Sequence, residues 1–262
     1  MGEVNYAPVI QDMTWSYSRI KSFYDCPYRW YLRYIRKLKS NEDMFFANYG
    51  TFMHKMIEMY LKGEKTPKQL SELYLQNFKD EVKGHAPSKQ VFANYFTSGL
   101  RYLKELQPFP YNVVAVEKRV DFAVYGIPFI GYIDLLGEKN GNLYVIDNKS
   151  RTLKPRNKRG RVTKTDEELD SYLKQLYLYS IAVEREYGKF PKALCFNCYR
   201  IPLLIEEPFS NQEYVESKIW FTNSVNEITN ETDFRPNAEF FKCRHLCEMQ
   251  NYCEYYKLTQ KR

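Results

Sequence analysis

Two aspartates and a lysine in the stretch IGYIDLLGEKNGNLYVIDNKS have the residue types and the spacing of a metal-dependent active site. Asn140-Gly141 favours a two-residue turn between two strands, because both residues tolerate left-handed backbone angles. With the turn at that position, Asp134 lies directly opposite Asp147, where like charges repel. A divalent cation such as Mg²⁺ or Mn²⁺, which prefers oxygen ligands, would relieve that repulsion. Lys149 follows Asp147 by two residues, so both side chains lie on the same face of the strand.

An active site at these residues depends on the strand register. A turn longer than two residues would shift the pairing, and an Asp-x-Lys triplet also occurs at strand ends that have no chemical role. The elements around the triplet therefore help to decide between the two interpretations.

Helical patterns dominate the first 110 residues, and strand patterns follow them. Helices are predicted from Ser18 to about Lys39, through YGTFMHKMIEMYLKG, and over SELYLQNFKDEVKG and VFANYFTSGLRYLKEL. Three antiparallel strands are predicted over YNVVAVEKRVDFAVYG, IPFIGYIDLLGE and NLYVIDNKS. An amphipathic helix, a strand over KALCFNCYRIPLLIEE and further helical sequence follow. We predict one domain with a helical region (1–110), a catalytic α/β core (111–205) and a helical carboxyl-terminal segment (206–262).

Composition restricts the protein class. Hydrophobic residues make up 44% of the 262 residues and aromatic residues 17%, which is typical of a globular protein. No apolar run approaches the roughly 18 to 20 residues of a membrane-spanning helix, and the amino terminus does not resemble a secretory signal. We therefore expect no membrane association and a cytoplasmic location. Cysteines stay reduced there, so a cysteine cluster indicates a metal site or core packing.

Basic residues are concentrated in one segment. RTLKPRNKRGRVTK (151–164) contains seven of them and no acid, whereas the whole chain has a net charge of +7. A charge run is commonly a solvated loop, but a basic segment beside an acidic site can also hold a phosphate backbone. The candidate DNA-binding residues in this segment are Arg151, Lys154, Arg156, Lys158, Arg159 and Arg161.

Gly131-x-x-Asp134 followed by Asp147-Asn148-Lys149 resembles the catalytic signature of the PD-(D/E)xK nuclease superfamily, in its RecB-like branch. Three further stretches resemble motifs of that branch: the G-x-x-x-H motif ending at His54, the Q-x-x-x-Y motif from Gln175 to Tyr179, and the S-x-hydrophobic opening from Ser18 to Cys26-Pro27. The resemblance implies a restriction-endonuclease-like α/β core, a mixed central sheet flanked by helices, with a helical amino-terminal region and a carboxyl-terminal iron–sulfur segment.

The resemblance also implies a role for each matching residue. His54, Asp134, Asp147 and the backbone carbonyl of Asn148 would hold Mg²⁺ or Mn²⁺, and Lys149 would orient the attacking water. Gln175 and Tyr179 would lie on the helix after the catalytic strands and face DNA. Glu117, on the first strand, is a candidate for a further acid near the site, but we interpret it as the partner of a nearby lysine or arginine and leave it outside the metal site.

Three cysteines lie close together in FKCRHLCEMQNYCEYY, near the carboxyl terminus: Cys243, Cys247 and Cys253. Candidates for a fourth ligand are Cys26, the pair Cys195 and Cys198, and His245. The pair lies in a strand-like stretch and is interpreted as buried thiols. Similarity to four-cysteine nucleases, including AddB-type subunits and CRISPR-associated adaptation nucleases, implies Cys26 and a [4Fe–4S] cluster. A zinc site with four cysteines would need the same ligands.

The sequence thus predicts a metal-dependent DNA exonuclease that acts on single strands or DNA ends, in recombination, repair or CRISPR-adaptation-like DNA processing. It contains no G-x-x-x-x-G-K-[ST] helicase signature, so we expect any helicase or recombination partner to be a separate protein. Two alternatives are a non-catalytic module that binds DNA ends and a zinc-containing nucleic-acid-binding protein.

Overall fold

The computed structural model describes residues 5–40, 42–156 and 163–256. Strand-forming sequence begins only after residue 110, and the described part of the chain before it is helical. The helices are α1 (Ala7–Gln11), α2 (Tyr17–Asp25), α3 (Pro27–Trp30), α4 (Phe45–Leu61), α5 (Pro67–Glu81), α6 (Lys89–Lys104), α7 (Lys164–Tyr187), α8 (Asn211–Thr229) and α9 (Phe240–His245). A π-helical turn, Tyr31–Ile35, continues α3, and a 3₁₀ turn covers Gln250–Tyr252.

Five strands form one mixed sheet in the order β1-β2-β3-β4-β5. They are β1 (Asn112–Val124), β2 (Ile127–Lys139), β3 (Asn142–Lys149), β4 (Ala193–Cys198) and β5 (Leu203–Pro208). Among the five described strands, only β3 and β4 pair in parallel, because α7 carries the chain back between them. This mixed sheet with flanking helices confirms the predicted α/β, restriction-endonuclease-like fold class.

The predicted single strand KALCFNCYRIPLLIEE is two strands, which corrects the sequence prediction. β4 and β5 are antiparallel neighbours separated by a turn at residues 199–202. Pro202 lies in that turn, where its missing N–H would interrupt a continuous ladder. The sequence remains apolar into the turn, where Tyr199 is fully buried. The pattern therefore gave no indication that the strand ends there.

The predicted turn between β2 and β3 is confirmed. Asn140 and Gly141 have φ angles of 52° and 76°, the left-handed values of a tight two-residue hairpin. The register runs from Lys139 opposite Asn142 to Leu135 opposite Ile146. Asp134 and Asp147 are the next residues beyond that last pair, as the sequence predicted.

Helices cover both faces of the sheet and fix the elements that carry the site. α7 packs against β1 to β4, and its buried residues, such as Leu176, belong to the larger hydrophobic core together with Trp30 of α3. A second core lies among α4, α5 and α6 and includes Met53 and Tyr199. Thr163 begins α7 with a reciprocal capping box. Within the described ranges, no helix has the length and apolarity that crossing a membrane requires.

Candidate active site

β2 and β3 place two carboxylates side by side on a cleft of about 500 Å³. Asp134 and Asp147 are buried, with 7% and 3% of their surfaces exposed. The backbone N–H of Asn148 donates a hydrogen bond of 2.7 Å to Asp134 Oδ2. The register therefore brings together the two acids that the sequence predicted.

This pair of acids is electrostatically unfavourable without a cation. Burial, together with the neighbouring Asp147 carboxylate, raises the pKa of Asp134 to about 7. His54, the Asn148 N–H and Lys149 act in the opposite direction but do not compensate. Near neutral pH, Asp134 therefore holds a proton in part of the molecules. A bound divalent cation would replace that proton.

α4 directs His54 toward the same carboxylate. His54 Nε2 lies 2.9 Å from the Asn148 carbonyl oxygen, and Nδ1 lies 3.5 Å from Asp134 Oδ2. The aromatic residues of α4, among them Phe52, pack into the second core and hold the helix against the sheet. The predicted histidine, carbonyl and aspartate thus converge at one point.

Glu117 also belongs to this point, and the sequence interpretation that left it out is wrong. Ligand atoms of His54, Glu117 and Asp134 all lie within 4.8 Å of one another, the one such group among the described residues. Glu117 is half-buried, and this burial raises its pKa. Its φ of 48° is left-handed, which is uncommon for a residue other than glycine, so the backbone of β1 is locally strained at the site.

The register of the hairpin between β1 and β2 determines the position of Glu117. Val124 pairs with Ile127 around a two-residue turn, and further along the strands Val116 pairs with Leu135 and Lys118 with Ile133. Glu117 is therefore the cross-strand counterpart of Asp134. The turn residues are Tyr125-Gly126, which is not one of the strong hairpin dipeptides, so the register was not apparent from the sequence.

Lys149 lies against the second acid from the same strand. Its Nζ is 2.6 Å from Asp147 Oδ2, donates to Gln175 Oε1 at 3.3 Å, and lies 4.6 Å from the centre of the Tyr172 ring. Burial opposes the charged form, but the Asp147 carboxylate outweighs it and raises the pKa of Lys149. The lysine is therefore a fixed cation.

Gln175 and Tyr179 connect α7 to this lysine. Gln175 Nε2 donates a 2.9 Å hydrogen bond to the Tyr179 hydroxyl, one helical turn away. Gly131 of β2 makes room for the tyrosine, because a Cβ atom there would lie 2.3 Å from the Tyr179 ring. Both α7 residues line the cleft, although Tyr179 is itself buried.

Comparison with known proteins agrees with this geometry. A family model for the PD-(D/E)XK nuclease superfamily matches residues 14–254. The chain belongs to that superfamily. No curated protein matches the sequence.

A solved structure from Eubacterium rectale, named "Putative exonuclease", shares the fold of this PD-(D/E)XK protein. It is 12% identical and has a TM-score of 0.51, with 100% of this chain and 93% of that chain covered. The structure of SSO0001 is 13% identical over 90% of this chain and 85% of that chain. Its TM-score of 0.34 carries no weight for the fold.

The six cysteines of this PD-(D/E)XK chain fall into two groups. Cys195 and Cys198 are buried in β4 on opposite faces of the sheet, which agrees with their interpretation as core thiols. The other four are partly buried, form no disulfide, and line one cavity: Cys26, Cys243, Cys247 and Cys253. The predicted fourth residue, Cys26, therefore meets the three late cysteines, and His245 does not line that cavity.

Burial favours the protonated form of three thiols in the four-cysteine cavity. Burial raises the pKa of Cys247 to about 12, and burial likewise raises the pKa values of Cys243 and Cys253. The backbone N–H of Asn237 donates to Cys26 Sγ at 3.4 Å. No three of the four sulfur atoms, all within the described ranges, lie within 4.8 Å of one another.

The basic segment is only partly described, and it includes one arginine with a different function. Arg156 makes hydrogen bonds to Asp170 and to both carboxylate oxygens of Glu213, at 2.7 to 3.0 Å. Its guanidinium is therefore committed to protein carboxylates, which corrects its assignment to DNA binding. Arg151 pairs with Glu168, and Lys154 is exposed. The other predicted DNA-binding residues lie outside the described residues: Lys158, Arg159 and Arg161.

Proposed function

We propose that the protein is a metal-dependent deoxyribonuclease, an exonuclease that hydrolyses phosphodiester bonds in single strands or at DNA ends. The observation that carries this proposal is the convergence of two carboxylates, a histidine and a backbone carbonyl, with a third carboxylate, Asp147, paired to a buried lysine in the adjoining cleft. Three carboxylates on neighbouring strands repel one another and destabilise the fold. Such a cluster is therefore uncommon where the residues have only a structural role.

The chemistry of the donor set fits a divalent cation. Asp134, Glu117 and the Asn148 carbonyl offer hard oxygen atoms, and His54 offers a nitrogen. Asp147 lines the same cleft as Asp134 and offers a further carboxylate. Asp134 is nine-tenths buried beside a second carboxylate, so positive charge is what the site lacks. Mg²⁺ or Mn²⁺ held by these residues supplies Lewis acidity for the scissile phosphate, activates water and neutralises charge on the leaving oxygen.

The residues of the chain then position and stabilise the reacting groups. Lys149 keeps its proton and presents a fixed positive charge to the phosphate as negative charge develops on it. Gln175 accepts a hydrogen bond from the Lys149 ammonium group and donates one to the Tyr179 hydroxyl. These two hydrogen bonds fix the orientation of the lysine side chain. His54 holds the Asn148 carbonyl oxygen in the cleft.

We also propose that Cys26, Cys243, Cys247 and Cys253 hold a [4Fe–4S] cluster. These four cysteines line one cavity. A zinc ion would need the same four ligands, and the resemblance to four-cysteine nucleases favours the cluster. The group would join the amino-terminal helices to the carboxyl-terminal segment and so have a structural function.

The experiment is degradation of end-labelled single-stranded and double-stranded DNA with Mg²⁺ and with Mn²⁺. We expect metal-dependent shortening from the ends by the wild-type protein and none by Asp147→Ala. Lys149→Gln should reduce the rate at least a hundredfold, since one preorganised charge contributes about that much. Binding of DNA ends without hydrolysis by the wild type would instead identify a non-catalytic module. Equal rates for wild type and Asp147→Ala would reject this active site.

A further inference from the structure

We infer that a second cavity binds a backbone phosphate of the nucleic-acid strand whose scissile bond lies at the carboxylates. This inference rests on the proposed function. The cavity, called here the basic cavity, measures about 250 Å³ and lies where α2, α3, α7 and the cysteine segment meet. Its charged and aromatic lining residues are Lys21, Asp25, Arg29, Arg151, Tyr172 and Lys242. Cys26, Cys243 and Cys247 also line it, so it adjoins the four-cysteine cavity.

Four cations and one carboxylate line this cavity, so its lining has a net positive charge. Three of the cations form ion pairs whose partners are both at least 36% exposed: Lys21 with Asp25, Arg151 with Glu168, and Lys242 with Glu239. Exposed pairs of this kind contribute about 0–1 kcal/mol each. An incoming phosphate can therefore replace these carboxylates at little cost.

Arg29 differs from the other three cations. Only 20% of its side chain is exposed, and it pairs with Glu248 at 2.9 Å. Its Nε is buried and has no hydrogen-bond partner in the described part of the chain. A buried guanidinium N–H without a partner is costly, so a phosphate or another acceptor at this wall would be favourable.

The basic cavity and the catalytic cleft share an aromatic wall. The Tyr172 ring lies 4.6 Å from Lys149 Nζ and 5.9 Å from Lys21 Nζ. Tyr17, which lines the cleft, packs against Tyr172 with ring centres 6.5 Å apart and lies one helical turn before Lys21. A strand whose scissile phosphate contacts Lys149 therefore reaches the cavity within its next few nucleotides.

The chemistry of this cavity fits a phosphodiester backbone and not a base. Tyr172 is 9% exposed and already lies between two cations, so its ring is not free to stack on a nucleobase. Four cations line the cavity, against one carboxylate, and they recognise phosphate through charge, which positions a strand without reading its sequence. The cavity thus adds a second anchoring point beside the cleft.

The test measures, by fluorescence anisotropy, the affinity of each protein for a fluorescein-labelled 20-mer of thymidylate. Mg²⁺ is present, and every protein carries Asp147→Asn, which prevents cleavage. The variant is Lys21→Gln with Lys242→Gln. The matched control is Lys79→Gln with Lys104→Gln, since these exposed lysines on α5 and α6 line neither cavity. Both proteins lose two positive charges.

The logarithm of the binding constant falls linearly with the logarithm of the salt concentration, and each lost phosphate contact lowers that slope (the salt exponent) by about 0.7. We therefore expect the cavity variant to bind 5 to 25 times more weakly at about 0.1 M salt. The control should change less than twofold. In proteins with native Asp147, turnover of thymidine 5′-(p-nitrophenyl phosphate) should be equal for wild type and cavity variant. If the double variant does not unfold cooperatively, Lys21→Gln and Lys242→Gln are measured singly, each with an expected loss of up to fivefold.

Two results are distinguishable. An unchanged affinity and salt exponent in the cavity variants would overturn the phosphate site, whatever the activity of the wild type. A wild type that hydrolyses neither DNA nor the small ester with Mg²⁺ or Mn²⁺ would overturn the proposed function, while the affinity comparison would still decide whether the cavity binds the strand.

Discussion

Asp134→Asn should stabilise the metal-free protein at pH 8. The folded-state pKa of Asp134, about 7, lies well above its ordinary value of 3.8. Stability that is fully present below about pH 4 is therefore lost as the pH rises through about 7, since ionising this buried carboxylate is unfavourable. A difference of about three pH units corresponds to roughly 4 kcal/mol at about 1.36 kcal/mol per unit.

An asparagine removes that charge and keeps the shape of the side chain. Its amide oxygen can still accept the hydrogen bond that the Asn148 N–H donates to Asp134. Burying a neutral amide reduces the gain at every pH, so we expect about 2–4 kcal/mol at pH 8 and at most about 1 kcal/mol at pH 4.5. For a chain of this size the gain at pH 8 corresponds to a Tm increase of roughly 5 to 15 °C.

The assay is thermal unfolding at pH 8 and pH 4.5, after removal of divalent ions, with Asp80→Asn as the control. Asp80 is an exposed carboxylate on α5, so its variant should change Tm by less than about 1 °C. Saturating Mg²⁺ should stabilise the wild type and not Asp134→Asn, because a bound ion stabilises only the protein that holds it. An Asp134→Asn Tm at pH 8 equal to or below that of the wild type would refute the electrostatic reasoning.

Three further changes test separate parts of the molecule. Gly131→Ala should lower the free energy of unfolding by about 1–3 kcal/mol and displace the Tyr179 ring. Combined with Tyr179→Ala, it should cost less than the sum of the two single variants in urea unfolding, because the clash is then absent. Glu117→Gln should raise the Mg²⁺ concentration for half-maximal activity at least tenfold with little change in Tm, and an unchanged metal requirement would remove Glu117 from the site. Cys26→Ser should abolish visible absorbance and bound iron; a colourless wild type with one equivalent of zinc would reject the cluster.

The central hairpin could be predicted because its register is a local property. A two-residue turn at Asn140-Gly141 fixes every pair along β2 and β3, so the proximity of Asp134 and Asp147 follows from counting. The same rule applies to β1 and β2 and places Glu117 beside Asp134. Tyr125 adopts a φ of 49°, a left-handed conformation that tyrosine rarely adopts. The turn between β1 and β2 therefore could not be located from its residue types in the way that Asn140-Gly141 could.

The function of Arg156 could not be predicted, because its partners are distant in sequence. Composition alone places it in a basic loop, where every positive charge has the same interpretation. Folding places Asp170 from α7 and Glu213 from α8 around its guanidinium, and the same Glu213 accepts a hydrogen bond from Tyr177. A charge run therefore predicts an electrostatic surface, while the residues that form it depend on tertiary ion pairs.

The connection between the two ends of the described chain does not depend on the cysteines alone. Arg29 and Arg33 both pair with Glu248, and the Tyr28 hydroxyl donates a 3.0 Å hydrogen bond to Glu254. The Tyr252 hydroxyl donates to the backbone carbonyl of Lys39 at 3.0 Å. The sequence analysis connected these two segments through the cysteines alone, because their other contacts join residues more than 200 positions apart. Ion pairs and hydrogen bonds thus hold the amino-terminal helices against the carboxyl-terminal segment beside the four thiols.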